Sequence, residues 1–533
     1  MGMSAFEVLG PIMVGPSSSH TAGALRIARV ARLLAPRPLA RVDFTLFNSF
    51  SRTHRGHGTD KALVAGILGL DTDDERVRDS FALAEEAGLV FSIVEGGDDA
   101  SLHPNTVRIS MHPAEGRPVV VEGESLGGGR IRISSIDGVG VNIKGELPTV
   151  FVAHRDKPGV LAALTGALGA RGLNIATMRT FRAERGGAAY TVFEADERIP
   201  DDLIDEVRGI AHVTFASAGN VAGASQQEAG DVTLSFSSGA RLAELCQEHG
   251  CSIGSLMRAA EAERCGDESL ADARMDRVLA LMHEEACETL SFPRPSLGGF
   301  LDGQAAAVAR STAPLAYSLM GGTLTSAVAY AMAVLERSAS MGVIVAAPTA
   351  GSAGVVPGAV LACGEAIDAD SAALSRALWN AAAIGALISE NASVSGAEGG
   401  CQAEVGTAAA MAASALVELL GGSVAQCLDA ASICIGNLLG LVCDPARGMV
   451  EYPCQNRNAI GVAAAFSSAQ LALAGVTSPV PLDEAIDALA RVGAALPESL
   501  RETAKGGLAV CPSVCEGCKV MNSKLGSSLD NET

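Results

Sequence analysis

The spacing of hydrophobic and polar positions changes character along the 533-residue chain. Up to residue 147 two periods alternate. Thr21 to Leu34 sets apolar residues three and four apart, which predicts a helix. RVDFTLF (41–47) alternates as a half-buried strand does. Lys61 to Leu70 is helical again, and LVFSIVE, NTVRISMH and RIRISSI predict strands. The glycine run Gly127–Gly129 lies between strands with no helix after it, so it predicts a tight turn rather than a phosphate loop. Residues 1–147 thus read as an α/β domain.

Residues 148–222 repeat the alternation in a shorter unit. TVFVAHRD is a strand, and Val160, Leu161, Leu164 and Leu168 line one helix face. IATMRTFRA and AAYTVFEA are strands joined through Glu184 to Gly187, DDLIDEVRGI is a helix, and HVTFASA is a last strand. The order βαββαβ is ferredoxin-like. Small residues from Gly219 to Gly230 read as a linker. The stretch 231–533 then turns helical nearly throughout; Met275, Val278, Leu279 and Met282, for example, share one face. The fold class predicted is multidomain: α/β, then ferredoxin-like, then mostly all-α.

Composition narrows the use of these domains. The formal net charge of −21 argues against gripping nucleic-acid phosphates or a polybasic membrane surface. Two uncharged runs, Ser338–Gly364 and Asn458–Leu482, are long enough for a membrane helix. The first contains Pro348 and Pro357, and the second is rich in Ala, Ser and Gly, so both read as buried segments of a helical core. The N-terminus has neither a basic region nor a sustained apolar run, and predicts no secretory signal. A cytoplasmic, reducing setting follows, in which the 13 cysteines are free thiols, metal ligands or catalytic groups.

Three cysteines sit among Gly, Pro and polar residues: Cys401 in SGAEGGCQAEVG, Cys443 in GLVCDPARG and Cys454 in VEYPCQNRN. Cys427 and Cys434 lie inside apolar helices and read as core thiols. Three thiolates from separate segments can hold three irons of a [4Fe–4S] cluster and leave the fourth open as a Lewis acid. From spacing alone, unrelated thiols remain the competing reading. Among histidines, His57 lies between glycines in GHG. It reads either as a loop histidine or as a base. His20 in SSSHT reads either as part of a helix cap or as a substrate contact, since a helix start also binds carboxylates. His103 and Asn105 lie in HPNT, which is also a good turn sequence. Lys61 could orient an acid group. Ser395 and the turn Pro348–Gly354 are candidates to line a pocket.

Taken together, GPSSSHTAG (15–23), GHGTDKALVAG (56–66), HPNTVR (103–108), APTAGSAGVVPG (347–358), NASVSGAEGGCQAEVG (391–406) and the CDP and YPC segments resemble the iron–sulfur L-serine dehydratases. The middle unit, with D-x-P-G at Asp156 to Gly159 and Asn174 after its first helix, resembles an ACT domain. The resemblance implies a β-type domain at 1–147, an ACT domain at 148–222 and an α-type catalytic domain at 231–533, fused in one chain. It implies Cys401, Cys443 and Cys454 as ligands of a [4Fe–4S] cluster and His57 as catalytic base. It implies His20 as a second catalytic group, with Ser17, Ser19, His20, Thr21, His103, Asn105 and Ser395 at the substrate. L-serine would go to pyruvate and ammonia without pyridoxal phosphate. Asp156, Gly159 and Asn174 would bind an amino-acid effector, and a homodimer or larger assembly is expected.

One feature departs from the family. Some relatives end in a cysteine that caps the open iron, whereas here Cys511, Cys515 and Cys518 form CPSVCEGC and more chain follows. Any of the three could cap the iron or serve a separate metal site. The rival classes are an iron–sulfur redox or amino-acid sensor without turnover, and a membrane transporter. Neither has a use for the histidine motifs.

Overall fold

The computed structural model describes residues 3–145, 147–182, 184–200, 202–219, 232–311 and 319–514. The linker 220–230 and the cysteines Cys515 and Cys518 therefore lie outside the described residues, as does the polar tail. The chain divides into two compact units, residues 18–229 and residues 1–17 with 230–533.

The first unit holds two sheets. Six strands run in the order Val90–Glu95, Leu39–Phe47, Asn105–Pro113, Val119–Gly127, Arg130–Ile136, Val139–Ile143. Only the first pair is parallel. Val119–Gly127 begins as a run of three valines, which hides its alternation, so periodicity does not single it out. Gly127, Gly128 and Gly129 all have positive φ and make the tight turn into the next strand. The helix Gly23–Leu33 turns Leu25, Ile27 and Ala28 inward. At Gly66 the helix Thr59–Leu68 approaches it so closely that a Cβ would lie 2.4 Å from the Leu25 carbonyl oxygen.

The second sheet is antiparallel, in the order Val213–Gly219, Thr149–Arg155, Ala188–Ala195, Ile175–Arg182. Val150, Val152 and Phe193 on one face meet Val160, Leu164, Leu168 and Val207 of the helices Val160–Ala170 and Leu203–Arg208. Phe151 and Tyr190 stack on the other face. This is the βαββαβ arrangement that the alternation predicted.

The helical unit is built around Thr407–Leu419, in which every side chain from Thr407 to Val417 is buried. A helix apolar on all sides must be enclosed, and its Ala and Ser residues let neighbours come close. It packs against Val355–Ala366, Ser371–Asn391, Val424–Leu438 and Cys454–Leu473. Ser371–Asn391 is long and apolar enough to cross a membrane, but its Ala377–Ile388 stretch, Trp379 included, is buried in this core. The first uncharged run is likewise buried and broken up into a helix end, the strand Val343–Val345, a turn and a second helix; the second, most of the helix Cys454–Leu473 and the loop after it, is not buried throughout as expected, because one side of it leaves Ile460, Leu471, Val476 and Val480 exposed. That strand pairs antiparallel with Ile12–Val14, so residues 1–17 belong to the helical unit.

Candidate active site and thiol pocket

Ser18–Ala22 forms a wide π turn ahead of the helix Gly23–Leu33, and this turn carries His20 inward. Its Nδ1 is 2.9 Å from Ser19 Oγ and its Nε2 2.8 Å from Ser49 Oγ. The Thr21 hydroxyl donates to the His57 carbonyl oxygen at 2.7 Å. The two imidazole centroids lie 4.4 Å apart, and Phe50 meets His20 edge-on. His57 closes the loop before the helix Thr59–Leu68, where Gly58 takes a left-handed conformation. The His57 ring is buried, and neither of its nitrogens has a partner among the described residues. Burial holds His57 down to about 4, and burial with the nearby His57 holds His20 well below the usual histidine range. Both are neutral imidazoles at neutral pH.

Around this pair, Ser125 donates to the Ser19 carbonyl at 2.7 Å, in space that a Cβ at Gly23 would fill. Asn105 donates to the Ser125 carbonyl at 3.5 Å, and its own N–H donates to His103 Nδ1 at 3.2 Å. Ser19, His20, Thr21, His57, His103 and Asn105 thus form one connected group, joined by Ser49 and Ser125, which the sequence did not single out. Ser17 is buried at the end of the segment belonging to the other unit. Among the described residues the Lys61 ammonium orients no acid and donates to the Arg78 carbonyl. His54, three residues before His57, sits 3.2 Å from Glu95 and 3.8 Å from Asp60. Those carboxylates, Asp60 foremost, hold it above its ordinary value against burial.

In the helical unit Cys401, Cys443 and Cys454 are all buried and act on one another electrostatically. Cys401 follows the short helix Gly396–Gly399, which Ser395 precedes. Cys454 opens the helix Cys454–Leu473. The chain at Cys443 is held by a returning segment: its N–H donates to Leu500 and its carbonyl accepts from Glu502. Glu404 lies among them, accepting from Thr349 at 2.8 Å and 4.0 Å from Cys443 Sγ. Asn458 ties the Pro348–Gly354 turn to this place, donating to the carbonyls of Gly351 and Cys454 and accepting from the Gly354 N–H.

Burial pushes the Cys401 thiol up to about 12, and the other two well above the ordinary value, with Glu404 adding to each. Glu404 and Glu502 are themselves raised by burial, and Glu502 further by Glu404. Such thiols are not nucleophiles; they are proton-bearing until a cation displaces the protons. Among the described residues no three His, Cys, Asp or Glu side chains are grouped to hold a single metal ion. A cluster spreads its thiolates over different irons, so its ligands need not converge as those of one ion do. Cys511 is half-buried, and its segment is fastened to the Cys443 loop where the Leu508 N–H donates to Asp444 at 2.7 Å.

In the four-stranded domain Asp156 accepts from the Gly186 N–H and pairs with Arg182, which hold it below the usual carboxylate range. Gly159 is left-handed ahead of the helix Val160–Ala170. The Asn174 side chain donates to Asp196. Each effector candidate therefore already has a local structural part.

A histidine group on an α/β domain, a ferredoxin-like module and a helical unit enclosing three thiols make up a multidomain protein. The family described as serine dehydratase beta chain matches residues 4–136, ACT domain matches 149–212, and serine dehydratase alpha chain matches 248–509. The chain is 33% identical to an L-serine dehydratase of Streptomyces coelicolor over 96% of its own length and 99% of that protein. It is 45% identical to an L-serine dehydratase alpha chain of Peptoniphilus asaccharolyticus over 50% of this chain and 91% of that one. To the beta chain of the same organism it is 40% identical over 40% of this chain and 96% of that one. The chain belongs to the L-serine dehydratase family, with the alpha- and beta-chain regions fused.

Proposed function

We propose that the protein is an L-serine ammonia-lyase that eliminates water from L-serine and releases pyruvate and ammonia. The observation that carries the reading is His57. A fully buried imidazole with both nitrogens unpartnered is costly to fold, and a substrate that supplies the partner explains why it is kept. His57 takes the α-proton. Burial alone leaves its value too low for an efficient base, and the carboxylate of a bound amino acid raises it toward the working range. His20, fixed between Ser19 and Ser49, stays neutral and passes a proton or holds the substrate. Ser17, Ser19, Thr21, His103, Asn105 and Ser395 complete the substrate-binding set.

Cys401, Cys443 and Cys454 fit a [4Fe–4S] cluster, because soft donors on three segments are enclosed where water does not compete. When bound, the cluster supplies a Lewis-acidic iron for the departing hydroxyl oxygen, which makes pyridoxal phosphate unnecessary. Glu404 and the Thr349 hydroxyl hold the Pro348–Gly354 turn in place beside the thiols. Cys511, Cys515 and Cys518 are the candidates for a thiol that caps the open position.

The three-part division at 1–147, 148–222 and 231–533 gives the ACT region a regulatory role. An amino-acid effector is read at Asp156, Gly159 and Asn174, in a cytoplasmic homodimer or larger homo-oligomer. The test is pyruvate formation from L-serine by anaerobically purified protein, with a carbonyl reagent present to remove any pyridoxal phosphate. Turnover with the reagent supports the reading. Loss of turnover on adding the reagent, or no pyruvate from a protein loaded with iron and sulfide, overturns it.

A further inference from the structure

The three cysteines span 53 residues, yet one side chain acts on all three segments. Arg457 lies one turn beyond Cys454 on the helix Cys454–Leu473. Its Nη1 donates to the carbonyl of Val442, the residue before Cys443, at 2.8 Å. Its Nη2 pairs at 2.7 Å with the carboxylate of Asp444, the residue after Cys443. The guanidinium charge also acts on the Cys401 thiol, drawing its pKa down against burial. Asp444 in turn accepts from the Leu508 N–H, which fastens the returning C-terminal segment to the same point. Arg457 and Asp444 keep only 14% and 3% of their side-chain surface exposed, so this pairing is not screened as a surface ion pair would be.

Charge points the same way as geometry. The other ionisable side chains acting on the thiols, Glu404 and Glu502, are acids. Three thiolates beside two acids in a dry pocket repel one another, and a buried charge needs a partner. A planar guanidinium meets both demands, since its fork addresses several acceptors at fixed angles while its charge stays on.

We propose that Arg457 is the positioning residue of the thiol pocket. It fixes Cys401, Cys443 and Cys454 relative to one another and provides counter-charge for their thiolates. The inference builds on the assignment of those cysteines as cluster ligands. Partners behind metal ligands commonly change affinity by about 10–100-fold when removed.

The test compares anaerobically purified wild type with Arg457→Met, Arg457→Lys and Asp444→Asn. The readouts are iron retained against a chelator, the midpoint potential of the cluster, and the melting temperature after the iron is removed. Arg457→Met should lose iron about 10–100-fold more readily. Its potential should become more negative, because a lost cation disfavours the added electron. Arg457→Lys should recover most of the potential, which follows charge, but little of the retention, which follows the fork. Asp444→Asn should weaken retention at a cost in iron-free melting temperature, since it leaves the buried Arg457 charge without its partner, and Arg457→Lys keeps the role testable if Arg457→Met fails to fold. Wild-type retention in both Arg457→Met and Asp444→Asn overturns the role of Arg457 alone. A wild-type chain that takes up no iron and sulfide overturns the ligand assignment, and this role with it.

Discussion

Replacing His57 by leucine should slow the enzyme and steady the fold at once. A neutral imidazole carries one N–H and one lone pair, and both lie buried without partners among the described residues. Each such group costs about 1–3 kcal/mol, or about 2–6 kcal/mol for the two. Leucine fills a similar volume and needs no partner. The Thr21 hydroxyl bonds the His57 backbone carbonyl, so it survives the change, and the ring contact with His20 becomes an alkyl contact. Some imperfect packing offsets the gain, which leaves an expected local stabilisation of about 1–3 kcal/mol. Loss of a general base lowers the rate by about 10²–10⁴-fold. The assays are pyruvate formation under anaerobic conditions and hydrogen exchange of the amides in Thr59–Leu68, the helix His57 leads into. A His57→Leu protein within a few-fold of the wild-type rate would refute the base. Protection reduced by more than about 2 kcal/mol would refute the account of an unpartnered ring, because it would mean that its nitrogens had been satisfied.

Acid should loosen the same region. His57 titrates near 4 when folded against an unfolded value of 6.5, so the unfolded chain binds the extra proton first. Stability therefore falls as the pH drops from 6.5 to 4, by about 3 kcal/mol, and is unaffected by this group above 6.5. His20 pulls in the same direction. Urea midpoints for Thr59–Leu68 measured across that window should show the slope, and His57→Leu should flatten it. Glu285 does the opposite in the helical unit. It is buried with one oxygen unpartnered among the described residues, the other accepting from Val345, and burial raises it to about 8. The folded chain keeps a proton that the unfolded chain releases above 4.5, so stability falls as the pH rises from 4.5 through 8. Glu285→Gln should melt higher than wild type at pH 8 and close to it at pH 5; an equal difference at both would contradict the titration. A Cβ at Gly354 would lie 2.2 Å from the Ala331 carbonyl oxygen. Gly354→Ala should therefore cost about 1–3 kcal/mol in thermal stability and reduce iron content, since the shifted turn carries Thr349 and Gly351. Unchanged melting and iron content would show that the helices yield freely there.

What the sequence discloses follows the range of the forces involved. The alternation in TVFVAHRD and AAYTVFEA is local, so the ferredoxin-like module could be read from its pattern. The three- and four-residue spacing of Met275, Val278 and Met282 is likewise local, and these residues are buried on the helix Glu268–Ser291. VVVEGESLG is a strand whose leading valines hide its period. The π turn that brings His20 inward has no signature in SSSHTA. The cysteines and histidines stood out because their neighbours are glycines, prolines and hydroxyls. Arg457, Asp444, Glu404 and Glu502 did not, because each resembles an ordinary surface charge until the fold sets it beside a thiol. Ser49 and Ser125 become visible only when strands and helices distant in sequence meet around His20.

The central claim is that Cys401, Cys443 and Cys454 hold an iron–sulfur cluster that L-serine elimination depends on. The most direct measurement is iron and acid-labile sulfide per chain in anaerobically purified protein, read beside pyruvate formation, for wild type and for Cys401→Ser, Cys443→Ser and Cys454→Ser. The account predicts about four of each in active wild type. Each variant should lose both the iron and the turnover. Full turnover from a wild-type preparation with less than one iron per chain, or from any of the three variants, would contradict it.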